Sequence, residues 1–271
     1  MLVRTVLPIL LAAQVFTGAA MAQEAPTEST SQLAEQLTNP VASLSSIPFE
    51  FNHDSGYGSA DGHRTVTNWQ PVVPFQAGEN WNVISRTIVP FIRQKDIAGN
   101  SGTQSGLGDI VQSLFFTPRQ VEPGGLIWGV GPAFLLPTAS DDALGTGKFG
   151  IGPTGVALRQ KNGWTLGILA NHIWSVAGDD DRPDVSATFM QPFINYTTKD
   201  AWTFALNTES TYDWKSEQWS APVNLMAAKL VNFGDQPVSF RGGVRYWVDS
   251  PENGPEGWAL RASITFLYPK K

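Results

Sequence analysis

The chain has 271 residues, with 18 Lys plus Arg against 24 Asp plus Glu, a formal net charge of −6 and no cysteine. Charged residues make up 15%, against about 25% in an average soluble domain, and a mean hydropathy of −0.13 is too low for a bundle of apolar helices. The composition excludes disulfides, Fe–S clusters, zinc ribbons and a lipoprotein anchor for want of cysteine, and a nucleic-acid partner for want of a basic excess.

Residues 1–22 read as a cleavable signal peptide. Arg4 supplies the positive start, Val6 to Phe16 the apolar stretch, and Ala20-Met21-Ala22 the small residues of the cleavage site. The apolar stretch is shorter than the ~20 residues a spanning helix needs, so an exported chain beginning at Gln23 is expected. Residues 23–42 are expected to form a periplasmic leader or a plug. Ser31 to Leu37 suits one or two helical turns capped by Thr30 or Ser31, with Leu33 and Leu37 on one face and Pro40 ending them. A frayed tail competes with these readings and is favoured by the usual behaviour of termini.

Residues 43–271 form the remaining unit. From Leu44 onwards the chain shows a period of two: about twelve runs of ~10–13 residues rich in Val, Ile, Thr and aromatics, separated by Gly, Asn, Asp or Pro. In the last run Trp258, Leu260, Ala262, Ile264, Phe266 and Tyr268 share one face, and Ala259, Arg261, Ser263 and Thr265 the other. The predicted strands are 44–52, 64–75, 81–94, 106–117, 125–137, 149–160, 163–176, 184–198, 202–213, 219–231, 237–248 and 257–268. Their connections alternate between a mostly longer set, beginning with 53–63, and a mostly shorter one. Trp81, Trp164 and Trp202 follow short turns, whereas Trp174, Trp214, Trp219, Trp247 and Trp258 sit beside the longer loops, as two interfacial girdles require. The pattern predicts an all-β, antiparallel up-and-down transmembrane β-barrel of about 12 strands, with both termini in the periplasm. Pro71, Pro74, Pro90, Pro132, Pro153, Pro192 and Pro222 fall inside predicted strands and each removes a ladder donor. They leave a soluble exported β-sandwich or jelly roll as the alternative, unless bulges absorb them.

Particular segments point further. Asn39-Pro40-Val41-Ala42 leads into Ser46-Ile47-Pro48-Phe49, and Trp81 to Pro90 and Gly106 to Ser113 follow. Ile127-Trp128-Gly129-Val130-Gly131-Pro132, Ala170 to Gly178 and Asn207 to Tyr212 come next in order. Over residues 39–271 these resemble the transporter-like outer-membrane family associated with the MetA pathway of phenol degradation, some members of which are mislabelled neuromedin U. The resemblance implies an outer-membrane barrel that passes small aromatic or hydrophobic compounds. It supplies no catalytic residues. The chain departs from many barrels at its end, where Pro269-Lys270-Lys271 follows Tyr268.

If Trp81, Trp202 and Trp258 face lipid, parity turns Arg86, Glu209, Arg241, Arg245 and Arg261, with Asn207, into the lumen, because Arg facing lipid at the midplane costs about 2–4 kcal/mol. These residues are expected to set selectivity or to form an internal salt-bridge network. Asp109 is a further candidate on a poorly alternating strand, and parity points His172 outward. The acidic outer loops carry Asp141, Asp142, Asp179, Asp180, Asp181 and Asp184, with Glu252 and Glu256. They suit a solvated, cation-attracting rim better than a dedicated Ca²⁺ or Mg²⁺ site, and no metal or cofactor is expected. His53-Asp54 and His63 fall on the first long loop, but no GxSxG, HExxH or defensible nucleophile–base spacing is present, so no enzyme is expected. The expected function is a small-molecule channel or transporter in the outer membrane of a Gram-negative-type cell. Its expected partners are outer-membrane lipid, lipopolysaccharide and the barrel-insertion machinery. The competing function is a closed-lumen structural or adhesion barrel whose acidic loops bind lipopolysaccharide or a partner.

Overall fold

A computed structural model describes residues 28–269; the expected signal peptide, 1–22, lies outside them. A helix, α1 (Glu28–Gln36), precedes twelve strands. These are β1 (Ser45–Tyr57), β2 (Gly62–Trp69 and Val72–Ala77), β3 (Trp81–Lys95), β4 (Thr103–Leu107 and Ile110–Pro118), β5 (Ile127–Leu136) and β6 (Lys148–Lys161). Then come β7 (Trp164–Gly178), β8 (Ser186–Thr197), β9 (Trp202–Thr208 and Ser210–Asp213), β10 (Gln218–Phe233), β11 (Gln236–Asp249) and β12 (Gly257–Tyr268). Each strand pairs antiparallel with its sequence neighbours, and β12 closes on β1 from Ser45↔Tyr268 to His53↔Leu260. The result is a closed 12-stranded antiparallel barrel. The soluble sandwich is set aside, because a sandwich keeps the edges that this closure removes.

The barrel is apolar outside and charged inside. Leu166, Leu225 and Leu260 are 62%, 59% and 60% exposed, whereas Arg245 and Arg261 are 7% and 5% exposed. Only a wall that meets lipid explains that inversion. Eight tryptophans stand at the two rims or beside them, and Trp81 and Trp128 form an edge-to-face pair with ring centroids 5.8 Å apart. Trp247 departs from the expected girdle. It shares parity with Arg245 and turns into the lumen, where its indole N–H donates to Asp54 at 2.8 Å.

The prolines sit where the ladders yield. Pro71 lies in the gap that divides β2, and the carbonyl of Pro90 accepts from Gly108 N at 2.8 Å beside the gap that divides β4. The β8–β9 pairing passes from Phe193↔Asn207 to Met190↔Ser210, so Pro192 falls on a skipped rung beside the gap that divides β9. Pro132 and Pro153 oppose each other across β5 and β6, and the ladders to β4 and β7 skip both positions. Pro222 alone among these sits at a register shift. At these six positions the missing N–H groups are placed at interruptions, and a register shift accompanies only Pro222. Pro74 instead pairs with Ile84 in the unbroken β2–β3 ladder, beyond the single rung Ser46↔Val72 to β1.

Two boundaries differ from expectation. β1 continues to Tyr57 and β2 starts at Gly62, so the first long loop shrinks to 58–61 and His53, Asp54 and His63 are strand residues. Asp54 faces the lumen, whereas His53 shares the outward parity of Phe49 and Phe51 and lies beside His63, ring centroids 6.0 Å apart; a strand end this polar has the composition of a loop. The helix starts at Glu28 rather than at Ser31. In place of a frayed tail, residues 28–44 pack inside the short-turn mouth of the barrel. Ala34 and Leu44 cluster with Ala201, Leu230 and Leu267, and Val41 packs on Ile84, Phe115 and Leu158.

The Gly-Pro pairs of β5 and β6 mark a close approach of strands. A Cβ at Gly131 would lie 1.9 Å from the Leu114 carbonyl oxygen, and one at Gly152 would lie 1.7 Å from that of His172; at Gly242 it would meet nothing within 4 Å. Gly131→Ala and Gly152→Ala are expected to cost about 1–3 kcal/mol or to prevent closure, whereas Gly242→Ala is tolerated. The fraction of refolded chain showing heat-modifiable gel migration measures both.

Candidate functional site in the barrel lumen

The lumen has two unlike sides. β3 to β8 contribute an apolar side in which Ile84, Phe115, Val156, Leu158, Leu169 and Phe193 cluster. The strands from β9 round to β1 contribute a charged side, built by alternation: Ala259, Arg261 and Ser263 turn inward between outward Trp258, Leu260 and Ile264.

Glu209 is the hub of the charged side. It is the residue between the two segments of β9, where the register sets it opposite Gln191 on β8 and opposite Pro222 on β10, which offers no N–H to hold it in a ladder. Arg261 grips it with two parallel bonds, Nη1 to Oε2 and Nη2 to Oε1, both 2.7 Å. Arg245 Nη2 donates to Oε2 at 3.2 Å and Gln191 Nε2 to Oε1 at 3.2 Å. Arg261 Nη2 also lies 2.5 Å from Glu50 Oε2, and Asn52 Nδ2 donates to Glu50 Oε1 at 3.3 Å. Arg245 Nη1 pairs with Asp54 Oδ2 at 3.5 Å, and its Nε donates to Asn224 Oδ1 at 2.9 Å. Asn224 in turn donates to Asn207 Oδ1 at 2.8 Å. A run of Trp247, Asp54, Arg245, Glu209, Arg261 and Glu50 therefore ties β1, β9, β11 and β12 together. Desolvated ions persist there because each has an opposite charge and further hydrogen bonds.

Among the residues singled out from the sequence, Glu209, Arg245 and Arg261 meet in this network. Arg86 and Arg241 do not make an ion pair among the described residues: Arg86 Nη2 donates to Gln70 Oε1 at 3.1 Å. Sequence reasoning missed Glu50, Asp54, Asn224 and Trp247. Parity with Phe49 and Phe51 already turns Glu50 inward, but Asp54 was hidden by its assignment to a loop. Between the network and the segment after α1 lies a cavity of about 170 Å³, lined by Arg86, Arg241, Arg261, Glu50 and Glu209 on one part and Val72, Phe193, Ala205 and Met226 on another.

Asp109 lies outside the lumen network and anchors the outer loops. Its Oδ2 accepts from Thr146 N at 2.6 Å and Thr146 Oγ1 at 2.7 Å, and its Oδ1 accepts from Ala139 N at 3.2 Å. Arg182 crosses from the next long loop to donate to the Gly145 carbonyl at 2.5 Å and the Asp142 carbonyl at 2.8 Å. Asp141 accepts from Ala143 N and Asp179 from Asp181 N, each closing its own turn. Asp184 bridges Lys148 at 3.3 Å and Lys215 at 3.9 Å. The hydrogen bond from Lys148, then that from the Ser175 hydroxyl, holds the Asp184 carboxyl below its ordinary range. Asp142, Asp180 and Asp181 join no metal-sized cluster; none exists among the described residues. His172 faces outward as parity requires, bonded to Thr188 Oγ1 at 2.7 Å and set beside Trp174 with ring planes tilted 48° and centroids 4.1 Å apart.

No protein-family model matches the chain, and no curated protein matches it. Among solved structures it is similar to the COG4313 outer membrane channel from Pseudomonas putida F1, with a TM-score of 0.63 and 16% identity over 83% of this chain and 94% of that one. It is also similar to outer membrane phospholipase A from Escherichia coli, with a TM-score of 0.49 and 11% identity over 83% of this chain and 90% of that one. The β domain of the Bordetella autotransporter BrkA gives a TM-score of 0.46 and 11% identity over 83% of this chain and 100% of that one. At these identities the likeness is one of fold, and the fold is that of an outer-membrane β-barrel. It agrees with the outer-membrane part of the sequence resemblance and does not extend to phenol degradation. The expectation that the chain is not an enzyme is corrected. A phospholipase is found among the matching barrels, so the want of a known motif does not exclude an activity, and that exclusion is withdrawn; the likeness carries no activity over either.

Two outcomes are expected. Glu209→Gln removes the carboxylate that Arg245 and Arg261 share, leaving each one partner, Asp54 and Glu50, and lowers unfolding stability by about 1–3 kcal/mol, whereas Asp181→Asn stays within about 0.5 kcal/mol; urea titration in lipid vesicles, followed by tryptophan fluorescence, compares them. Asp184 has a depressed pKa in the folded chain, so its loop contact is fully present above the ordinary value of 3.8 and is lost as pH falls through the lower folded value. Amide exchange in residues 179–185 should therefore be insensitive to pH-driven opening near neutrality and show it only under strongly acidic conditions. Asp184→Asn should abolish that acid transition.

Proposed function

We propose that the chain is an exported outer-membrane channel for small molecules, with a preference for solutes that carry apolar surface. The observation that carries this reading is the two-sided lumen: a charged ladder and an apolar wall enclose a cavity of about 170 Å³ instead of meeting in a packed core. A barrel with only a structural role gains nothing from buried ions around a void, since well-packed apolar residues do as well or better. The likeness to a channel fold and the sequence resemblance to transporter-like barrels agree with it. The short-turn mouth, read as periplasmic, is occupied by residues 28–44, so passage requires that this segment move. It is held by side-chain hydrogen bonds such as Thr38 to Thr165 at 2.7 Å and Gln160 to the Glu35 carbonyl at 2.8 Å, which water can replace.

That same occupied mouth favours the second reading, a closed barrel acting through its acidic outer loops on lipopolysaccharide or a partner. Conductance separates the two. The chain has no cysteine, so Thr38→Cys with Thr165→Cys introduces a single reducible lock. The channel reading expects steady ohmic steps from the reduced double variant in planar bilayers and their loss on oxidation. Insertion without conductance, in the reduced variant and in a chain lacking residues 28–42, would instead support the closed barrel.

A further inference from the structure

Two of the cations that line the lumen cavity are not used by the ion-pair network. Arg241 has neither a hydrogen bond nor an ion pair among the described residues, and Arg86 donates one bond, to the neutral Gln70. The carboxylates beside them are already occupied. Glu209 accepts from Arg245, Arg261 and Gln191, and Glu50 from Arg261 and Asn52. The cavity lining sets Arg86, Arg241 and Arg261 against Glu50 and Glu209, one positive charge in excess. The remaining pair of the network, Asp54 and Arg245, cancels.

A guanidinium withdrawn from bulk water without an acceptor is costly, so this site favours an anion. The planar fork of arginine matches a carboxylate through two parallel N–H···O bonds. The rest of the lining limits the choice. Val72, Phe193, Ala205 and Met226 form apolar wall, and Pro40 and Ala42 form the floor. The volume of about 170 Å³ resembles that of apolar cavities of about 150 Å³ that hold benzene. A hydrated inorganic ion leaves the apolar wall unused, and a neutral hydrocarbon leaves the arginines unpaired.

We propose that this cavity binds small organic monocarboxylates, the carboxylate held by Arg241 and Arg86 and the apolar body laid against Phe193 and Met226. The inference rests on the channel reading for its physiological sense, since it names the class of solute; the binding itself does not require conduction.

Binding is measured by calorimetry on the refolded mature chain in micelles. The probes are benzoate, benzyl alcohol as its neutral counterpart and acetate as a carboxylate without the apolar body, with empty micelles correcting for partitioning. Benzoate should bind saturably at one site, with benzyl alcohol and acetate each at least about tenfold weaker. Arg86→Gln with Arg241→Gln should reduce benzoate to the level of benzyl alcohol and leave benzyl alcohol unchanged. Because neither arginine is ion-paired, the double variant should also keep or raise the thermal midpoint, unlike Arg261→Gln, which should lower it. Equal binding of benzoate and benzyl alcohol to the unaltered chain would overturn the site, and that comparison needs no variant to fold. Conductance without benzoate binding would overturn the site and leave the channel; binding without conductance would leave the site and overturn the channel.

Discussion

The pairing of β1 with β12 is the constraint on which the rest of the structure depends. In hydrocarbon an unpaired backbone N–H or C=O has no water to turn to, so a sheet that meets lipid must close on itself. Closure also decides what each side chain meets. Once the wall is continuous, one parity of every strand faces lipid and the other faces a confined interior. Leucines become the exposed residues and arginines the buried ones. Pro71, Pro90, Pro132, Pro153, Pro192 and Pro222 obey the same rule, since their missing donors coincide with divided strands, skipped rungs or a register shift rather than with open gaps toward lipid.

One of those divisions connects the wall to the interior. Pro222 stands opposite the gap in β9, and that gap places Glu209 where Arg245 and Arg261 converge on it. The backbone of the wall thereby positions the hub of the charge network. Such a network contributes little net stability compared with apolar packing, but removing one member leaves charges stranded. It is better understood as a rigid feature of the lumen than as the source of the barrel's stability, which lies in the closed ladder and the apolar cluster on the opposite side.

The two mouths are governed by weaker interactions of different kinds. At the long-loop end Asp109 and Arg182 bond mainly to backbone groups of residues 139–146, which fixes the path of the loop without burying much apolar surface. At the short-turn end residues 28–44 combine a small apolar cluster with side-chain hydrogen bonds to Thr165, Gln160 and Asn232. Elements held this way have low local opening free energies compared with the ladder itself. On the channel reading proposed above, motion is therefore to be sought at the mouths, while the arginines of the central cavity keep their positions.

The sequence by itself determined the architecture. Alternation over ten or more residues, repeated twelve times, has one closed solution in lipid, and the same parity turned Arg86, Glu209, Arg241, Arg245 and Arg261 inward before any contact was known. Where polar residues outnumbered apolar ones the pattern failed: Asp54 read as a loop residue because lumen-facing and loop residues share a composition, and His53 did so because a polar side chain on the outer face breaks the alternation. Trp247 read as part of a girdle because its place near a strand end outweighed its parity. Only the tertiary structure decided which inward charges meet. Glu209 reaches Arg245 and Arg261 through a strand division set by a proline on the neighbouring chain segment, and Glu50 competes for the same arginine from the strand that closes the barrel. Arg241 and Arg86, identical in sequence terms to their paired neighbours, are left facing a cavity. Pairing is a matter of distances across a closed lumen, and no one-dimensional period carries those distances.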